Sequence, residues 1–288
     1  MRICTPIILL LLVSNSIDAI DIDSLKRQAS LGESKAQFEL AVRFLKGMDI
    51  QMDKDSCFFW LNKSIEGGNQ TAVIVLGQEL LKGDGIQRNP DSALALFKFA
   101  ANNGDSVGMF QVAVTYMKGE TVTQDSNLAF EWITKSAEKG FAAAQYNLAM
   151  FYSKGAIVKK DLKRAFSLFH ASAIGGDLDG KYAVGWYYLF GEGTKKNKDS
   201  ASYWLENAAY NSNLEAIFLL GLFQMTGKYL KKNQVSGLRW LLIADEAGHP
   251  EAANWINMAM EIVDQSQLDE AYELAEQTVK DPIPEMYR

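Results

Sequence analysis

The stretch GFAAAQYNLAMFYSKGAIVKKDLKRAFSLFHASAIGG, residues 140–176, carries the pattern that decides the fold. It begins and ends on glycine, Gly140 and Gly176, and a further glycine, Gly155, stands fifteen residues in. Steps of 36 residues in both directions from Gly140 land on Gly32, Gly68, Gly104, Gly176, Ser212 and Gly248. The same steps from Gly155 land on Gly47, Gly83, Gly119, Gly191 and Gly227. Two registers that hold without insertion or deletion define a repeat, and self-similarity at this period marks a solenoid.

With each unit numbered from its first glycine as zero, position +4 is Ala36, Ala72, Gly108, Ala144, Gly180, Ala216 and Ala252. Position +8 is Leu40, Leu76, Val112, Leu148, Val184, Leu220 and Ile256, and position +12 runs Phe44, Leu80, Tyr116, Tyr152, Tyr188, Gln224. Small, aliphatic and large residues four apart form one helical stripe. The glycine at +15 ends that helix, where a left-handed cap is needed. Position +21 is Asp53, Asn89, Asp125, Asp161, Asn197 and Asn233, all side chains that can cap a second helix, and Pro90 follows Asn89 where proline is tolerated. The second helix carries Trp60, Leu96, Trp132, Leu168, Trp204 and Trp240 at +28 and an apolar residue at every +29. Each unit is thus helix, glycine turn, helix, and neither helix can bury its face alone, so the units must stack. The units span 33–68, 69–104, 105–140, 141–176, 177–212 and 213–248. Residues 20–32 supply an N-terminal capping helix, with Leu25 and Ala29 inward. Residues 249–288 supply a half repeat and a C-terminal cap, a helix started by Ser266 and built on Leu268, Ala271, Tyr272 and Ala275.

The pattern resembles the Sel1-like repeat, a relative of the tetratricopeptide repeat. The unit nearest to it is Ala144 to Gly155 followed by Asp161, Ala165, Ala173 and Gly176, and the resemblance covers about residues 24–280. Ser212 in place of glycine and Gly237 in place of alanine are departures confined to single units. The resemblance implies an all-α, right-handed α-solenoid of six helix–turn–helix repeats that binds proteins. It also implies that the first helices line the concave side. Known members include scaffolds of endoplasmic-reticulum quality control and exported bacterial proteins, among them periplasmic regulators and immunity proteins that neutralise secreted toxic effectors. A cysteine-bridged branch of the family receives no support, because the chain lacks its cysteines.

Residues 1–19 differ from the rest. Met1-Arg2 precedes an unbroken apolar run, Ile7 to Val13, then Ser14-Asn15-Ser16 and a small residue at Ala19. This is the pattern of a secretory signal peptide, and the run is too short to cross a membrane as a helix. The expected location is therefore exported: the periplasm first, secretion second, or the endoplasmic-reticulum lumen in a eukaryote. Cleavage after Ala19 would leave Cys57 unpaired, and its column (Ala93, Ala129, Ala165, Ala201, Gly237) makes it a small buried thiol. The chain carries a formal charge of −6 with a pI of about 5.1, which argues against a nucleic-acid partner.

Enzyme signatures are scarce. The two histidines, His170 and His249, are more than two repeats apart, and no nucleophile–base pair is visible. Gly83-Asp84-Gly85 and Gly191-Glu192-Gly193 are repeat turns without the strand a phosphate loop needs. No catalytic residue, metal site or cofactor is expected, so an envelope enzyme such as a cell-wall hydrolase or a β-lactam-binding protein rests on family precedent alone. With +4, +8 and +12 inward, positions +3, +7, +10 and +14 should face outward or into the groove. A lysine column at +14 runs Lys46, Lys82, Lys118, Lys154 and then stops. Beyond it, +10, +11 and +14 carry Met150, Phe151, Trp186, Tyr187, Phe190, Leu222 and Phe223. Aromatic and methionine clusters are typical anchors for a partner. The lysines equally suit helix C-termini through the helix dipole, and the aromatics equally suit packing between repeats. The sequence points to a protein or peptide partner held on a groove, with no membrane anchor. An immunity protein that occludes a toxic effector such as a lipase is the narrower alternative.

Overall fold

A computed structural model describes residues 21–281 and 283–287; the expected signal peptide lies outside the described residues. Those residues form fifteen α-helices and no strand, an all-α fold of the solenoid class. They are α1 (Ile22–Ser30), α2 (Ser34–Lys46), α3 (Lys54–Glu66), α4 (Gln70–Lys82), α5 (Pro90–Asn102), α6 (Ser106–Lys118) and α7 (Ser126–Glu138). They continue as α8 (Ala142–Lys154), α9 (Leu162–Ile174), α10 (Leu178–Phe190), α11 (Lys198–Tyr210), α12 (Leu214–Thr226), α13 (Gln234–Glu246), α14 (Ala252–Met260) and α15 (Gln265–Lys280). The chain divides into two compact units, residues 1–139 and 140–288, and each builds its own core.

The helix ends follow from the repeat columns. Every +15 glycine is a left-handed C-cap, with φ between +67° and +72°. Every +21 Asp or Asn caps the second helix by accepting a backbone N–H of its first turn. A second cap column lies one residue after the first glycine of the repeat. Position +1 supplies Asn69, Asp105, Asp177 and Asn213, whose side chains cap α4, α6, α10 and α12. Glu33 and Phe141 hold the same position without a side-chain cap, and these exceptions hide the column.

The predicted stripes are buried along their centres, whereas +12 (Phe44, Leu80, Tyr116, Tyr152, Tyr188 and Gln224) and +28 other than Trp240 are half-buried at the margin. All residues at +4, +8, +25 and +29 lie inside, as do the +32 residues Ser64, Ala100, Ser136, Ser172, Ala208 and Ala244, each at 0% exposure. The buried serines need partners, and each finds a carbonyl on the first helix of its own repeat. Ser64 Oγ donates to Ser34 O at 2.6 Å, Ser136 Oγ to Ser106 O at 2.6 Å, and Ser172 Oγ to Ala142 O at 2.8 Å. Close approach within each pair is set by position +9, which is Ala41, Gly77, Ala113, Ala149, Gly185 and Gly221. A Cβ at Gly77 would meet the Phe97 ring at 2.6 Å, and one at Gly185 would meet Leu205 Cγ at 2.7 Å. The +9 residue therefore sits under the +29 residue of the same repeat.

The C-terminal end of the array departs from the sequence expectation in two respects, the start of its last helix and the side on which Tyr272 lies. Leu25 and Ala29 of α1 are buried as expected, at 0% and 1%. The last helix, however, starts at Asp264 and not at Ser266. The Asp264 carboxylate accepts from Gln267 N–H while the Gln267 side chain accepts from Asp264 N–H, a closed capping box that places Ser266 inside the first turn. Ala271 and Ala275 then face inward, and Tyr272 faces solvent at 45% exposure.

Candidate functional site

The first helices bury a wider arc than the expected stripe, because each packs on its own second helix and also against neighbouring helices. Position +7 is buried at Val75, Gln111, Asn147 and Ala183. Position +11 is buried throughout: Arg43, Glu79 and Thr115 in the first unit, Phe151, Tyr187 and Phe223 in the second. The last three are a correction. At 9%, 4% and 5% exposure they are packing residues and present no surface to a partner. Tyr187 is held between the rings of Phe166 and Phe169, and its hydroxyl donates to Ser153 Oγ at 2.7 Å. Positions +10 and +14 remain accessible in most repeats, and they carry the two candidate faces.

In the first unit they line a cleft of about 220 Å³ between α4 and α6. Gln78 and Val114 (+10) form its floor with Gln111 and Thr115, and Lys82 and Lys118 (+14) stand on its walls with Arg88 and Glu120 from the loops. Three cations face one lining carboxylate, in a chain that is acidic overall. The cations are held differently. Lys82 Nζ lies 2.5 Å from Glu79 Oε1, a carboxylate whose side chain is 3% exposed. Arg88 Nε donates to Leu81 O at 3.1 Å, and its guanidinium lies 3.9 Å from Glu120. Lys118 has no ion-pair partner among the described residues. All four column lysines, Lys46 and Lys154 included, are the last residue of their helix, so the helix dipole also favours them.

In the second unit the same positions carry rings. Trp186 and Phe190 of α10 lie one turn apart with centroids 4.4 Å apart, and Phe190 meets Tyr229 edge-on at 5.1 Å. Met150 of α8, Trp186, Phe190 and Leu222 of α12 are half-buried, each resting on the core beneath. Their outer surfaces form an apolar face.

Comparison with known proteins identifies the repeat. The profile described as Sel1 repeat matches residues 34–69, 72–105, 106–141, 142–177, 178–213 and 214–249. The chain belongs to the Sel1 repeat family. No curated protein matches it. Among solved structures it is similar to a protective antigen present in uropathogenic Escherichia coli strains, which displays an SLR fold: 27% identity, TM-score 0.79, 92% of this chain and 57% of that one. This chain thus spans less than two thirds of that relative. It is also similar to a Sel1 repeat protein from Oxalobacter formigenes, at 25% identity and TM-score 0.73, over 78% of this chain and 94% of that one. An immunity protein from Pseudomonas aeruginosa aligns at 18% identity and TM-score 0.43, over 63% of this chain and 66% of that one, too distantly to carry an argument. The Sel1 repeat fold is a protein-interaction scaffold.

The Sel1 units absorb most of the reactive groups. Cys57 is fully buried under the α3–α4 packing, and burial pushes its thiol up to about 12, out of reach of thiolate chemistry at neutral pH. His170 packs among Phe166 and Trp204. His249, 7% exposed, stacks on Phe218 at 3.9 Å, and its Nδ1 accepts from Glu251 N–H at 3.3 Å in the turn before α14, whose N-cap is Glu251. Among the described residues no three His, Cys, Asp or Glu side chains gather where a metal could bind, and no helix is long and apolar enough to cross a membrane.

Proposed function

We propose that this Sel1 repeat chain is an exported protein-binding module, periplasmic in a bacterium, that holds an acidic segment of a partner protein in the α4–α6 cleft. The observation that carries the reading is the concentration of Lys82, Arg88 and Lys118 around one concavity of an otherwise acidic chain. Clustered like charge raises the encounter rate with an opposite charge and selects against partners of the same sign. The apolar face of Trp186, Phe190, Leu222 and Met150 supplies a second, hydrophobic contact. Export is supported by the apolar run from Ile7 to Val13.

The test uses the full chain as bait in its host with quantitative cross-linking. A partner retained by the wild type should be lost on Lys118→Glu, reduced on Trp186→Ala with Phe190→Ala, and released by raised salt. Folded variants that retain it undiminished would overturn the reading. The protein recovered from the envelope fraction should begin at Ile20; an N-terminus at Met1 in the cytoplasmic fraction would refute export.

A further inference from the structure

The segment that follows α15 returns onto a second helix, α11. After Lys280 the chain runs to a short 3₁₀ turn, Glu285–Tyr287, closed by Tyr287 N–H on Pro284 O at 2.8 Å. The turn delivers Tyr287 to α11, where it is 6% exposed. Its ring stacks on Tyr210 at 5.0 Å and 17° and leans on Tyr203 at 5.7 Å. Its phenol donates to Glu206 Oε2. Asn211 Nδ2 donates to Tyr287 O at 3.1 Å, and Tyr203 hydroxyl donates to Met286 O at 3.3 Å.

The receiving groups also have partners outside the segment, on α11 and α13. Ser202 Oγ donates to Glu206 Oε1 at 2.8 Å, so the carboxylate is oriented with its second oxygen outward. Asn211 Nδ2 also donates to Asn207 O at 2.8 Å, which fixes the amide. Trp240 braces Tyr210 edge-on at 5.1 Å, and Trp204 braces Tyr203 at 5.5 Å. Such preorganisation removes the ordering cost from the binding step. The slot reads three features of a peptide: a tyrosine ring, its hydroxyl proton, and the carbonyls of the tyrosine and of the residue before it. Burial, and then Glu206, push the Tyr287 phenol well above the usual tyrosine range, so it stays a proton donor at every physiological pH.

We propose that the Tyr203–Glu206–Tyr210–Asn211 slot on α11 is a recognition site for a tyrosine-bearing peptide segment, filled in cis by residues 283–287. The ligand class is a turn-forming peptide that carries a tyrosine; the residue before it contributes its carbonyl, while the Met286 side chain is exposed to solvent. The contacts of Met286 and Tyr287 described above are made by the ring, the hydroxyl or the backbone, so a segment of another protein with the same Xaa-Tyr element can replace the chain's own. A tethered copy acts at an effective concentration on the order of millimolar, so the cis segment sets a threshold that a competitor must exceed.

The test is fluorescence anisotropy with a labelled, amidated peptide of sequence DPIPEMYR, residues 281–288, added to full-length chains. Tyr287→Ala should vacate the slot and bind the peptide saturably, with wild type binding at least about tenfold more weakly because its own segment competes. The peptide with phenylalanine for tyrosine keeps the stack and loses the bond to Glu206, so it should bind about tenfold more weakly. Tyr287→Phe gives a second, gentler opening and should fall between wild type and Tyr287→Ala. No binding to a folded Tyr287→Ala chain, equal binding to wild type and both variants, or indifference to the peptide hydroxyl would each overturn the assignment. Should Tyr287→Ala not fold, Tyr287→Phe carries the same test: affinity equal to wild type overturns it.

Discussion

Replacing Asp177 by asparagine should stabilise the protein at neutral pH and leave it unchanged in acid. Asp177 caps α10 by accepting from Gly180 N–H at 2.7 Å. Burial raises its carboxyl from the ordinary 3.8 to about 6, Asp179 adding to the rise and the Gly180 and Ser172 bonds opposing it. The folded chain therefore binds this proton more tightly than the unfolded chain. The sign follows: the contribution is fully present below about pH 4 and is lost as pH rises through about 6. The rise from 3.8 to about 6 corresponds to about 3 kcal/mol, and partial exposure with solvent screening reduces that to about 1–2 kcal/mol of destabilisation at pH 7.5. Asparagine has the same shape, still accepts from Gly180 N–H, and carries no charge to desolvate. Its amide can reach the preceding repeat, as Asn213 Nδ2 reaches Leu178 O at 3.4 Å and Asn69 Nδ2 reaches Ser34 O at 3.4 Å. Denaturant titrations at pH 4.0, 5.5 and 7.5, with hydrogen exchange of the Gly180 amide, should show a gain for Asp177→Asn that grows from near zero to about 1–2 kcal/mol. A difference independent of pH, or one that grows toward acid, would refute the account.

Two further substitutions test the repeat geometry. Ser212 replaces the glycine at the end of α11 and holds φ +68°, so Ser212→Gly should relieve left-handed strain and raise stability by about 0.5–1 kcal/mol, read as a higher thermal midpoint. Gly221 lies under Leu241, and a Cβ there would meet Leu241 Cγ at 2.7 Å and Leu241 N at 2.9 Å, so Gly221→Ala should lower stability by about 1–3 kcal/mol in chemical denaturation.

The fold was legible because its signals are local and repeated. A left-handed glycine, a capping Asp or Asn and a small residue at a helix contact each have one structural solution, and six copies in register leave no alternative period. The faces were less legible because a column fixes an angle around a helix and not the width of the arc that neighbours cover. Trp186 and Tyr187 are adjacent in sequence; the first stays half-exposed, and the second closes over Phe169. Arg88 and Glu120 belong to loops, whose side chains no helical period can place. The Tyr287 slot joins residues eighty positions apart, and a tyrosine in a polar segment gives no sign of what it will meet.

The charged residues inside the first unit qualify what a lysine substitution can reveal. At +11 the first unit buries Arg43 and Glu79 where the second buries Phe151, Tyr187 and Phe223. A buried charge is tolerated only while paired: Arg43 lies 2.8 Å from Glu39, and Glu79 lies 2.5 Å from Lys82. Lys82 therefore serves the fold as well as the cleft. Lys82→Met would strand a carboxylate at 2% exposure and should destabilise by about 1–3 kcal/mol, trimmed from the fully buried case because the lysine itself is half in water. Glu79→Gln alone leaves an exposed lysine and a neutral amide, and should cost less than about 1 kcal/mol. In the double variant no buried charge remains, so most of the loss should return, giving a coupling of about 1–2 kcal/mol in a double-mutant cycle followed by denaturant titration. Additive losses would mean that Lys82 does not neutralise Glu79, and Lys82 would then be as clean a probe of partner binding as Lys118. With the coupling present, a binding defect on Lys82 substitution mixes structure with recognition, and only Lys118, which pairs with no described residue, separates the two.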